Sequence, residues 1–341
     1  MTQFYKYDKE FELESGVKLP SLTIAYDTYG KRNSDSSNVI WVCHALTANS
    51  DVADWWPHTV EQGCFLDPEK YFTVCANFLG SHYGTTGPLS ENPATGEAWY
   101  GDFPRITVRD MVRAHQLLAE HLGIKRVKLL IGSSIGGFQC LEWSVMQPDF
   151  AERAAFIATT PRTKPWASAF NESQRMAIES DPSYGERNAE AGLNGLAIAR
   201  SIALLSYRGG MAYDKTQEDT NPDEASFERR VHSYQRYQGE KLRRRFNAYS
   251  YVRLSEAVDS HNLGRGRGKV EDVLKQIRAK SLVVAITSDI LFPPSDHQIL
   301  IDNIPDVEYH LIDSDFGHDG FLVEHKQLND IILNFLGENN D

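Results

Sequence analysis

The chain has 341 residues, enough for one large α/β domain or two small ones, and its apolar share of 41% and charged share of 24% are those of an ordinary globular protein. A formal net charge of −12 disfavours nucleic acid as a partner, and no run approaches the roughly 18 apolar residues that would span a bilayer. The polar N-terminus has no signal-peptide core, and Cys43, Cys64, Cys75 and Cys140 lack CxxC spacing, so neither secretion nor a disulfide framework is expected and a cytoplasmic location follows.

In chain order, Leu22, Ile24 and Tyr26 alternate with Thr23, Ala25 and Asp27, the pattern of a half-buried antiparallel strand ending at Gly30. The next apolar runs are continuous: 38–43, 71–79, 126–132, 153–160, 281–287 and 307–312. Continuous runs indicate parallel strands covered by helices on both faces. One helix begins at Thr107, with Asp110 completing a capping box. It carries Val108, Met111, Val112, Leu118 and Leu122 on one face and stops at Gly123. Another follows the glycines near 132–137, and a last one is expected from Gly320 to Phe335. Alternating strands and helices define an α/β fold with a doubly wound, mostly parallel sheet.

Between Arg162 and Lys280 the strand pattern disappears, and helices are expected near 168–179, 190–206 and, as one long helix, 222–257. The chain thus divides into a core of residues 1–161 and 279–341 and a helical lid of 162–278, lying over the carboxyl edge of the sheet where ligands bind in such folds. The basic stretch RRVHSYQRYQGEKLRRR (229–245) is either a solvated helix face or a source of arginines for the phosphates of an acyl carrier such as coenzyme A. LGRGRGK (263–269) is not a dinucleotide fingerprint, because no strand precedes it.

Gly132-Ser133-Ser134-Ile135-Gly136 fits G-x-S-x-G between an expected strand and an expected helix. In a nucleophile elbow the central serine sits on a strained turn and needs small neighbours. The alternative is a plain β-α turn with Ser134 as N-cap. A serine hydroxyl needs a base, and the elbow orders its partners Ser, then Asp or Glu, then His. Asp289 follows the strand SLVVAIT, and His318 lies in a glycine-flanked loop after VEYHLI. Asp313 and Asp315 compete for the acid's role but share the histidine's short loop. The oxyanion then needs two backbone donors, for which the N–H groups of Ile135 and Leu46 are the candidates. No HExxH, paired CxxC or regular carboxylate spacing suggests a metal.

HALT (44–47), GSHYGTTGP (80–88), NPATG (92–96), DFPRITVRDMVRAHQLLAEHLGI (102–124), the elbow, YQGEKLRRRFNAYSY (237–251), SDILFPP (288–294) and GHDGFL (317–322) together resemble the homoserine O-acetyltransferase family, over about residues 9–336. The resemblance implies an α/β-hydrolase fold with an inserted helical lid, a homodimer formed through that lid, and a ping-pong transfer of acetyl from acetyl-CoA to L-homoserine in methionine biosynthesis. It implies Ser134 as acylated nucleophile, Asp289 as triad acid and His318 as base, with Arg200, Tyr207 and Asp319 as substrate contacts; Arg208 is a weaker candidate. Relatives of this fold use succinyl-CoA and some accept serine. The succinyl enzymes carry an arginine where this chain has Leu291, so acetyl is expected. A serine esterase with the same triad, and water as acceptor, is the rival reading.

Overall fold

The computed structural model of the chain describes residues 1–223 and 227–338. Its central sheet is built from β1 (Gln3–Tyr7), β2 (Leu22–Tyr29), β3 (Val39–Cys43), β4 (Phe72–Ala76), β5 (Val127–Ser133), β6 (Ala151–Ile157), β7 (Lys280–Ile286) and β8 (Val307–Ile312). They lie in the order β1-β2-β4-β3-β5-β6-β7-β8. The β1–β2 and β2–β4 pairs are antiparallel and all others parallel.

The continuous apolar runs have the expected cause. On β3, Val39, Trp41 and Cys43 enter one apolar layer while Ile40 and Val42 enter the other, so both faces of the strand are buried. Each such valine, leucine or isoleucine contributes about 1.5–3 kcal/mol. β8 departs from this pattern. It is parallel but sits at the sheet's edge, where Tyr309 and Leu311 are 38% and 47% exposed. β1, at the other edge, gave no sequence signal because its side chains are mostly exposed and carry no period.

The core helices are α1 (Val108–His121), α2 (Ile135–Met146) and, at the C-terminal end, α8 (His325–Leu336). The α1 capping box is present: Thr107 Oγ1 accepts from the Asp110 N–H while Asp110 Oδ2 accepts from the Thr107 N–H at 3.0 Å. Between β6 and β7 lie α3 (Pro165–Glu179), α4 (Leu193–Tyr207), α5 (Gly210–Gln217), α6 (Arg230–Arg243) and α7 (Ala248–Ser260).

Two expectations are corrected. The single helix at 222–257 is two, α6 and α7. Asn247 leaves helical geometry (φ −114°, ψ 153°) and its Oδ1 caps the Ser250 N–H at 2.8 Å, starting a new helix. Residues 224–226 of that expected helix lie outside the described residues. The helix expected from Gly320 is likewise broken: a turn at Gly320–Val323 precedes α8, with Glu324 at φ −86°, ψ 45° between them.

Candidate active site

β5 ends at Ser133 and α2 begins at Ile135, so Ser134 alone turns the chain, at φ 56° and ψ −124°. A non-glycine residue there carries about 1–3 kcal/mol of strain, so its surroundings must hold it. The Ser134 N–H donates to the Ile157 carbonyl at 3.0 Å, and its own carbonyl accepts from Thr159 Oγ1 at 2.9 Å. The glycine spacing is steric. A Cβ on Gly132 would lie 2.4 Å from the Gly136 carbonyl, and one on Gly136 would lie 2.0 Å from the Cys43 oxygen. Ser134 holds the N-cap position of α2, but its hydroxyl makes no capping hydrogen bond. That distinguishes it from a plain capped turn and leaves the oxygen uncommitted. Ser133 is fully buried.

Asp289 stands three residues past β7 and His318 in the loop after β8. The structure brings them together: His318 Nδ1 and Asp289 Oδ2 are 2.7 Å apart, and both residues are buried. The other oxygen, Asp289 Oδ1, accepts from the Leu291 and Phe292 N–H groups at 2.8 and 2.9 Å. With a carboxylate at Nδ1, that nitrogen carries the proton and Nε2 is the basic one. His318 Nε2 is buried without a hydrogen-bond partner. Burial pulls the imidazole's pKa down, but the Asp289 carboxylate, with Asp319 adding to it, more than offsets this and leaves His318 above its ordinary value. The competing aspartates are engaged elsewhere: Asp315 pairs with Lys215, and Asp313 accepts from Thr287 Oγ1 at 3.4 Å.

Ser134 and His318 line one cavity of about 360 Å³, together with Leu46 from the loop after β3, Arg200 and Tyr207 from α4, and Asp319. Among the described residues, the N–H groups of Leu46 and Ile135 donate to no protein acceptor. A second cavity of about 20 Å³ also touches Ser134, Leu46 and Ile135; its other walls include Phe138, Val258, Leu291 and Phe292. A larger groove of about 850 Å³ lies near the amino ends of β5 and β6 and contains none of these residues.

The polar residues of the larger cavity are arranged differently from the simplest reading. Asp319 pairs with Arg208, Nε to Oδ2 at 3.2 Å, so the weaker candidate is its direct partner. Arg200 forms no ion pair among the described residues; its guanidinium lies 5.5 Å from the centre of the Tyr207 ring. Burial raises the Asp319 carboxyl above its usual range despite Arg200, Arg208 and His318 nearby. Gly317 (φ 62°) lets the histidine loop pass against the turn between α4 and α5, because a Cβ there would lie 2.5 Å from the Gly209 nitrogen.

Sequence reasoning missed Thr159, which steadies the strained turn, and Arg245, which lines the cavity. Thr159 gave no signal, while Arg245 lay unresolved within a basic run. Among the described residues no cluster of His, Cys, Asp or Glu could hold a metal, no helix is long and apolar enough to cross a membrane, and all four cysteines are free.

A sheet of this order, with a strained turn into a helix after its fifth strand, is that of the α/β-hydrolases, and a family profile described as alpha/beta hydrolase fold matches residues 38–325. The homoserine O-acetyltransferase of Cyclobacterium marinum is 45% identical over 341 residues, covering 100% of this chain and 97% of that one. The crystal structure of homoserine O-acetyltransferase from Bacillus anthracis is 26% identical, with a TM-score of 0.89 over 100% of this chain and 99% of that one. The chain belongs to the homoserine O-acetyltransferase family. Esterase E22 has a TM-score of 0.88 over 98% of this chain and 100% of its own, and at 24% identity it shares the fold.

Proposed function

We propose that the protein transfers an acetyl group from acetyl-CoA to the side-chain hydroxyl of L-homoserine, a step of methionine biosynthesis, through an acetyl-Ser134 intermediate. His318 Nε2 takes the Ser134 proton as Oγ attacks the thioester carbonyl. The Leu46 and Ile135 N–H groups hold the resulting oxyanion, and collapse expels the thiolate, which leaves with the proton from His318. Homoserine's hydroxyl then gives its proton to the same nitrogen and attacks the acetyl carbonyl. The second collapse frees the ester and returns the proton to Ser134. Asp289 holds the imidazole in the required tautomer and stabilises its charged form.

The observation that supports this reading best is the charge pattern of the cavity: Ser134 and His318 share it with the unpaired Arg200 and the carboxylate of Asp319. An amino-acid acceptor carries one carboxylate and one ammonium, which this pair complements. The smaller cavity, about 20 Å³, has room for one methyl-sized group and is walled by Leu291 and Phe292. Asn171 and Tyr207 also line it but no cation does, so a succinyl carboxylate there would be buried without a counter-charge, which favours acetyl.

Residues 162–278 act as the lid in this reading. Exposed apolar residues on it, among them Ile198, Leu205, Met211 and Tyr237, support a homodimer formed through the lid. Sedimentation of wild type and Leu205→Asp tests this: a dimer that the substitution dissociates is expected, and a wild-type monomer rejects it. The reading includes a cytoplasmic location, which the free state of all four cysteines supports. The activity is tested by following CoA thiol release from acetyl-CoA with and without homoserine. Release that depends on homoserine and yields its O-acetyl ester is expected. Release indifferent to homoserine would make the protein an esterase, faster turnover with succinyl-CoA would reassign the donor, and faster turnover with serine would reassign the acceptor.

A further inference from the structure

The oxyanion donor assigned to Leu46 belongs to the peptide unit between Ala45 and Leu46. In a trans peptide the carbonyl and the N–H point in opposite directions, so whatever grips the Ala45 carbonyl aims the Leu46 N–H. Two groups grip it: the Ala48 N–H at 3.0 Å and His44 Nδ1 at 2.8 Å. Burial holds the His44 pKa down to about 3, so its ring is neutral and serves as a fixed donor. The Ala48 N–H in turn belongs to the peptide unit whose carbonyl is that of Thr47. That carbonyl accepts from Arg245 Nη1 at 2.5 Å. A guanidinium, a first peptide unit and a second peptide unit thus stand in series, ending on the Leu46 N–H.

We propose that Arg245, set between α6 and α7 of the lid, is a positioning residue for the oxyanion donor. It fixes the 45–48 turn, and its charge polarises the two peptide units so that the terminal N–H becomes a stronger donor. The surroundings suit this role. Arg245 has no carboxylate partner among the described residues, and its remaining bonds go to Tyr83 Oη (2.6 Å) and Thr47 Oγ1 (3.4 Å), both neutral. The charge is therefore not neutralised locally. The other end of the loop is anchored independently, by Ser50 Oγ on Asp27 at 2.7 Å and Asn77 Nδ2 on Ser50 at 2.8 Å. Losing Arg245 should loosen the turn without unfolding the loop. The inference rests on the acetyl-Ser134 reading and adds to it a route by which the lid governs the chemical step.

The test compares Arg245→Met with wild type in single-turnover acylation by acetyl-CoA and by p-nitrophenyl acetate, which has no phosphate. Loss of a whole oxyanion donor costs about 10²–10³ in rate, so losing what aims it should cost about ten- to a hundredfold. The same factor is expected for both donors, with the KM for homoserine and the melting temperature near wild type. Tyr83→Phe removes one acceptor of Arg245 and the long 3.5 Å bond from Tyr83 Oη to the Thr47 carbonyl, but it leaves the Arg245–Thr47 bond, so it should lose only a few-fold in the same assays. A loss confined to acetyl-CoA would make Arg245 a phosphate contact and overturn the positioning role. Acylation of Arg245→Met at wild-type speed would overturn it too, as would a loss matched by a fall in melting temperature. If wild type takes no acetyl group from either donor, the acyl-serine reading falls and this inference falls with it.

Discussion

Ser134→Gly, compared with Ser134→Ala, isolates the strain stored at the elbow. At φ 56° and ψ −124° a residue with a Cβ is strained by about 1–3 kcal/mol, whereas glycine is not. Glycine also loosens the unfolded chain, which opposes the gain by about 0.5–1 kcal/mol. The difference should leave Ser134→Gly about 1 kcal/mol more stable than Ser134→Ala, and at the usual unfolding entropy per residue a chain of 341 residues shifts by about 1.4 °C per kcal/mol. The glycine variant should therefore melt about 1–3 °C above the alanine variant. Alanine itself should match wild type within about 0.5 kcal/mol, since the hydroxyl caps nothing. Both variants should lose about 10⁶ in turnover. Differential scanning calorimetry at one protein concentration reads the effect. A glycine variant that melts below the alanine variant would refute the strain argument, because chain entropy would then be the only term left.

Three further outcomes are expected. His318 must be neutral to accept a proton, and Asp289 favours its charged form, so the acid limb of acylation kcat/KM should fall above the ordinary histidine value of about 6.5; a limb well below it would contradict the pair's role. Asp289→Asn keeps an oxygen for the Leu291 and Phe292 N–H groups but can place its amide against Nδ1, moving the imidazole proton to Nε2. Stopped-flow acylation should slow by about 10⁴ with the fold intact, and a loss below about tenfold would reject the tautomer argument. Arg200→Met should raise the homoserine KM by about 10–100-fold, the worth of a charge-assisted contact, while acylation by acetyl-CoA stays near wild type; equal damage to both half-reactions would place Arg200 elsewhere in the cycle.

Much of this architecture was legible in the sequence, and the failures share a physical cause. Strands buried on both faces, such as β3 and β5, announce themselves as unbroken apolar runs. β1 buries too little to leave a period. The break between α6 and α7 turns on one asparagine that reads as an acceptable helix residue until its side chain is seen capping Ser250. At the site, Ser134, Asp289 and His318 could be picked out because each follows a strand and two are flanked by glycines. What could not be read was which charged side chain meets which. Arg208 rather than Arg200 pairs with Asp319, and Arg245 bonds to a carbonyl far away in sequence; both facts depend on how the helices between β6 and β7 pack against the loops of the sheet.

Intact-protein and peptide mass spectrometry after mixing with acetyl-CoA alone tests the central claim most directly. The account predicts a gain of one acetyl group, located on the peptide containing Ser134, that disappears when homoserine is added and never forms in Ser134→Ala. An acetyl group on another residue, or full turnover with Ser134 unmodified in rapidly quenched samples, would contradict it.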